Sequence, residues 1–121
     1  MAVVRWHVTY YCIWRGLHRR YLLDDVQVVV TELFTNAVRH AEHRGQPITV
    51  VLDPRNGALR VEVHDPDPTL PTPNLDIDLD ATCGRGLLLV ETLAHRWGAV
   101  PLPDGGKVVF AEIEPCSRQA G

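Results

Sequence analysis

A two-layer α+β sandwich, in which helices cover one face of a mixed, mostly antiparallel sheet, is the fold this sequence predicts. Three observations carry the expectation. Apolar residues recur at helical spacing through the first third of the chain. Two strand-like runs then flank an Asn-Gly pair, the signal of a hairpin. A glycine-led helical run and a last strand-like run follow a long irregular connection. Helices and antiparallel strands in this order fit a layered α+β domain.

The elements follow in turn. Val4, Val8, Tyr11 and Cys12 recur at helical spacing, so residues 3–15 read as an amphipathic helix, which Gly16 ends. Asp24 or Asp25 is placed to cap a second helix, whose apolar stripe is Val26, Val30, Leu33 and Ala37. That helix is expected to run to about His43, with Gly45 and Pro47 as stop signals. "PITVVLD" and "ALRVEVHD" read as strands on either side of "PRNG". In the second, Leu59, Val61 and Val63 share one face, and Arg60, Glu62 and His64 share the other. From Pro66 to Cys83 there is no regular period but four prolines and four aspartates, the character of a lid or binding loop. "GRGLLLVETLAHRWG" reads as a helix with Leu87, Val90, Ala94 and Trp97 on one face, and "GGKVVFAEIE" as a closing strand. Residues 1–115 are expected to form one domain and residues 116–121 a frayed tail.

Composition narrows the function. The chain has 121 residues, 45% of them hydrophobic and 22% charged, which is globular rather than disordered. A net charge of −3 argues against a dedicated nucleic-acid binder. No apolar run approaches a membrane span, and no signal-peptide pattern opens the chain. Cys12, Cys83 and Cys116 are odd in number and far apart, which argues against a disulfide framework or a cysteine-rich zinc site. The expected setting is a reducing cytoplasm.

Four features have chemical potential. Glu32 and Asn36 lie one turn apart on the edge of the second helix's apolar stripe, and Arg39 and His43 continue that edge. A carboxylate and a neutral oxygen so placed suit a hydrated Mg²⁺, which takes few protein oxygens and keeps water and phosphate ligands. The plainer alternative is two solvated charges and an incidental amide. His40 and His43 form an H-x-x-H pair without an evident third ligand, and His40 leans toward the core. Asp65 falls by strand parity on the buried face, where a carboxylate needs a donor. It either caps the turn at "DPDP" or faces a pocket and accepts from a ligand amino group. Gly84-Arg85-Gly86 sits at a helix start, where free N–H groups, the helix dipole and a guanidinium suit an anion. Its alternative is an ordinary loop-to-helix turn, and it is neither a Walker A sequence nor a Rossmann fingerprint.

Taken together these segments resemble a known family. "ELFTNAVRHA" resembles the N box of the GHKL ATPase superfamily, which includes histidine kinases, Hsp90, type II topoisomerases and MutL. "VEVHDPDP" sits where the G1 box lies, and "GRGLLLVETLAHRWG" resembles the G2 box. The nearest likeness is to small bacterial anti-sigma-factor serine kinases, over roughly residues 20–114. The resemblance implies the Bergerat fold, with ATP and Mg²⁺ as cofactors. It implies Glu32 as general base, Asn36 as the Mg²⁺ ligand and Arg39 as a basic group near the phosphates. It implies Asp65 as acceptor for the adenine amino group, and Gly84, Arg85 and Gly86 at the phosphates. The chain departs from the family at G1, where both glycines of Asp-x-Gly-x-Gly are replaced in Asp65-Pro66-Asp67-Pro68-Thr69. The first strand usual in this branch is also missing or rudimentary, which leaves a sheet edge for a partner or a homodimer to cover.

Two functions follow as expectations. One is a protein serine/threonine kinase that binds Mg-ATP, phosphorylates a protein antagonist and controls a sigma factor. The other is a non-catalytic module that binds nucleotide weakly and recognises a regulatory protein, a sigma factor or an anti-anti-sigma factor. A relative of a histidine kinase catalytic domain ranks below both, because no dimerisation and phosphoacceptor helix pair is seen. A metal hydrolase using His40 and His43 ranks lowest. Neither direct nucleic-acid binding nor membrane association is expected.

Overall fold

The computed structural model describes residues 2–40, 47–55, 57–66 and 89–116. Two long helices, α1 (Ala2–Trp14) and α2 (Leu23–His40), are followed by the strands β1 (Thr49–Arg55) and β2 (Ala58–Asp65). A helix, α3, is described over 89–93. It leads into β3 (Arg96–Pro101) and β4 (Lys107–Ile113). The four strands form one antiparallel sheet in the order β1-β2-β4-β3, so the last strand is inserted beside the second. This is an α+β fold, as the sequence predicts.

The core lies between the inner face of the sheet and the helices. Leu59, Val61 and Val63 of β2 are fully buried, and Val109, Ala111 and Ile113 of β4 continue the layer. Facing them are Val26, Val29, Val30, Leu33 and Ala37 of α2, with Val8 and Cys12 of α1. The strict alternation along β2 is the pattern of a sheet with one face against helices and one toward water. A buried aliphatic side chain contributes about 1.5–3 kcal/mol, so this layer is the main source of stability.

Several expectations change. Asp24 and Asp25 lie inside the first turn of α2 rather than capping it, where their charge still complements the helix dipole. Residues 41–46, which include the expected end of that helix, lie outside the described residues. β1 begins two residues after the start of "PITVVLD" and runs through Pro54 to Arg55, which pairs with Ala58. The turn is therefore shorter than "PRNG", and Gly57 adopts φ 78° there. Pro54 is tolerated because β1 is at the edge of the described sheet.

The helix expected to continue through Trp97 stops sooner. α3 ends at residue 93, and the His95 N–H donates to the Glu112 carbonyl, starting the β3–β4 ladder. Trp97 and Ala99 then point inward at period two and pack on the core. Pro101 hid this strand from the sequence, yet an edge strand can hold a residue without an N–H. Helix α1 also differs from its expected amphipathic form. Val8 and Cys12 face the core, but Val3, Trp6, Tyr10, Ile13 and Trp14 are all exposed on the opposite side. Gly16 ends this part of the chain at φ 72°, as expected.

Candidate functional site

Asp65 is the last residue of β2 and, by strand parity, the end of its buried face. It is only 2% exposed. Its partner is Lys107, the residue directly opposite in the β2–β4 register. The Lys107 Nζ donates to Asp65 Oδ2 at 3.0 Å, and the lysine is itself 2% exposed. Neither the turn cap nor the ligand-facing carboxylate of the sequence expectation included this ion pair. A buried carboxylate persists only with donors beside it, and here the neighbouring strand supplies an ammonium.

The signal for Lys107 was present in the sequence. Residues 107, 109, 111 and 113 share one face of β4, and the last three are Val, Ala and Ile. A lysine on such a face needs an acceptor or counter-charge close by. Gly106 completes the arrangement. A Cβ there would lie 2.7 Å from the Asp65 carbonyl oxygen and 3.2 Å from Pro66 Cα, so only glycine lets the two backbones come this close.

Two further expected site residues belong to α2. Glu32 and Asn36 are half-buried beside the buried stripe of Val29, Leu33 and Ala37. Phe34, between them in sequence, lines an apolar groove with Val4, Val8 and Tyr11 of α1 and with Ile48, Val50 and Leu52. The start of β1 pairs with the end of β2, Thr49 opposite His64. An open hollow of about 530 Å³ lies at the end of β2, bounded by Thr49, His64, Asp65, Pro66, Asp104 and Gly106 among others, and no described residue of α2 lines it. Arg39 belongs to α2, but its side chain is outside the described residues, as are Gly84, Arg85 and Gly86. No cluster of three or more His, Cys, Asp or Glu suited to a metal occurs among the described residues.

The outer face of the sheet is chemically different. Arg60 bonds both Glu62, at 2.6 Å, and Glu112, at 3.0 Å, and its guanidinium lies 3.9 Å from the centre of the Phe110 ring. His64 Nε2 is 3.0 Å from Glu62 Oε1, and Arg96 reaches Glu112 at 3.2 Å. Burial pushes the Glu62 carboxyl up, but hydrogen bonds and charge from Arg60 and His64 more than reverse this and hold it below its ordinary value. These groups satisfy one another across the strands. They hold the outer face together.

The histidine kinase-like ATPase domain aligns with residues 12–111. The chain belongs to this family. Membership of this ATPase domain family implies ATP binding, which in such domains usually involves Mg²⁺. An uncharacterised protein of Streptomyces coelicolor is 43% identical to the ATPase domain over 72 residues, which cover 57% of this chain and 67% of the relative. No solved structure matches the chain. No helix among the described residues is long and apolar enough to cross a membrane.

Proposed function

We propose that this ATPase domain is a Mg-ATP-dependent regulatory protein of the anti-sigma-factor serine/threonine kinase type, which phosphorylates a protein antagonist and so controls a sigma factor. The observation that carries the reading is Asp65, a carboxylate buried at the end of β2 that borders an open hollow. Asp65 would accept from the adenine amino group. Asn36 would hold the magnesium ion, which supplies charge neutralisation at the phosphates. Glu32 would take the proton of the attacking hydroxyl. Arg39 and the Gly84-Arg85-Gly86 run would bind phosphate oxygens by charge and backbone N–H groups.

Calorimetric titration with ATP, with and without Mg²⁺, tests the reading. Wild-type protein should bind ATP, Asp65→Asn should lose that binding, and Asn36→Ala should lose the Mg²⁺-dependent part of it. Transfer of labelled γ-phosphate to a protein antagonist should vanish in Glu32→Ala. Wild-type protein that binds no ATP in either condition would sink the proposal.

One observation favours a second reading, a non-catalytic module that recognises its regulatory partner with weak nucleotide binding. Lys107 already engages one oxygen of the acid proposed to read adenine, and Asp67 and Thr69 stand where the G1 pattern has glycines, with Pro66 and Pro68 beside them. Under that reading ATP binds weakly and no phosphate is transferred, and Glu32→Ala changes nothing.

A further inference from the structure

Helix α1 has two apolar faces and covers only one of them. Its thirteen residues carry a single charged side chain, Arg5. Val8 and Cys12 are buried against α2 and the sheet. The opposite side shows Val3 at 69% exposure, Trp6 at 61%, Tyr10 at 60%, Ile13 at 53% and Trp14 at 70%. A helix that is apolar all round normally lies inside a structure. Here the outer stripe is organised as well as exposed. The Trp6 and Tyr10 rings stack at 5.4 Å with 16° between their planes, which makes a flat aromatic platform.

We propose that this face of α1 binds a second copy of the chain, α1 against α1 in antiparallel orientation. Three observations choose that occupant. First, the spacing of Val3, Trp6, Tyr10 and Ile13 is three, four, three, which is the same read in either direction. A two-fold interface requires such self-complementarity. With the axis passing midway between Trp6 and Tyr10, Trp6 of one copy meets Tyr10 of the other, and Val3 meets Ile13. Second, the stripe contains no charged side chain. It has no charge with which to select an acidic or basic partner, and two copies do not repel each other across it. Opposed helix dipoles favour the antiparallel arrangement over the parallel one.

Third, the area is of the right order. Aromatic side chains cover about 150–250 Å² each, so the exposed parts of Trp6, Tyr10 and Trp14 together with Val3 and Ile13 amount to roughly 500–650 Å². That is at the upper end of what a monomer leaves uncovered. It is most of the ~800 Å² per partner of a standard stable interface. His7, which meets the Trp6 ring edge-on, and Thr9 border the stripe and add to the contact. The inference does not depend on nucleotide binding.

Sedimentation analysis of the whole chain from about 1 to 100 μM tests it. The expected result is a species of twice the 13.6 kDa chain mass that dissociates on dilution. Trp6→Glu combined with Tyr10→Glu should give a monomer across the range. Because both positions are exposed, its circular dichroism spectrum should be that of the wild type. Val100→Glu, an exposed apolar position on β3, should leave the dimer intact. A wild type that is monomeric at 100 μM overturns the proposal and hands the stripe to a different protein. A dimer that survives the double substitution also overturns it, because the contact is then elsewhere, for example along β1.

Discussion

Replacing Lys107 by Met isolates the energetic role of the buried pair. Lys107 and Asp65 are both 2% exposed, and their charged atoms are 3.0 Å apart. Removing the ammonium takes away the charge 3.0 Å from a carboxylate inside the protein. Breaking a buried pair from one side costs about 3–5 kcal/mol. A domain of this size has a total stability on the order of 6–18 kcal/mol, so the loss is a large fraction of it. The melting temperature should fall by about 10–20 °C. Asp65→Asn keeps an acceptor oxygen toward the lysine and should cost less, about 2–3 kcal/mol. The double variant removes both charges and should be no less stable than Lys107→Met alone. Urea unfolding of the four proteins then gives a coupling of at least about 2 kcal/mol. Single effects that add within about 0.5 kcal/mol in the double variant would refute the claim that the two charges hold each other in the interior.

Three further outcomes follow from the same structure. Gly106→Ala places a methyl 2.7 Å from a backbone oxygen, so it should lower stability by about 1–3 kcal/mol in urea unfolding, with a larger loss than any exposed glycine-to-alanine change outside a positive φ. Glu62 has a folded-state carboxyl held below its unfolded value of about 4.3, so its contribution is present above that pH and is lost as the pH falls through the depressed folded value. Glu62→Gln should therefore lose less stability than the wild type between pH 7 and pH 3. Cys12 is 1% exposed and burial pushes its thiol up, so a disulfide reagent should label it only as the protein unfolds; rapid labelling of Cys12 in the native protein would contradict the packing of α1.

Much of the architecture was legible because its signals are local. "ALRVEVHD" alternates strictly, and the structure buries its odd-numbered members and leaves the even ones toward water. Gly16 and Gly57 marked turns that do need positive φ. β3 was not legible, because "RWGAVP" offers only a weak alternation beside a proline and follows a helical run without a clear stop. Its strand state comes from pairing with β4, a contact that no local window contains. The candidate site divides in the same way. Parity identified Asp65 as an acid on a buried face, but its partner is 42 residues away in sequence, and only the sheet register brings Lys107 opposite it. The outer stripe of α1 was hidden by the inner one. Both follow helical spacing, and the sequence does not say which of two apolar faces meets the core.

The strand order has a consequence for how the chain folds during synthesis. β2 lies between β1 and β4, yet β4 is made last of the four strands. A two-stranded hairpin is marginal alone in water. Translation proceeds at roughly 5–20 residues per second, so the 42 residues between Asp65 and Lys107 take roughly 2–8 s to make. For that interval Leu59, Val61 and Val63 have β1 on one side and an unpaired edge on the other. The nascent hairpin is most vulnerable to mispairing then, and the arrival of "GGKVVFAEI" closes the sheet and neutralises the waiting Asp65 in one step.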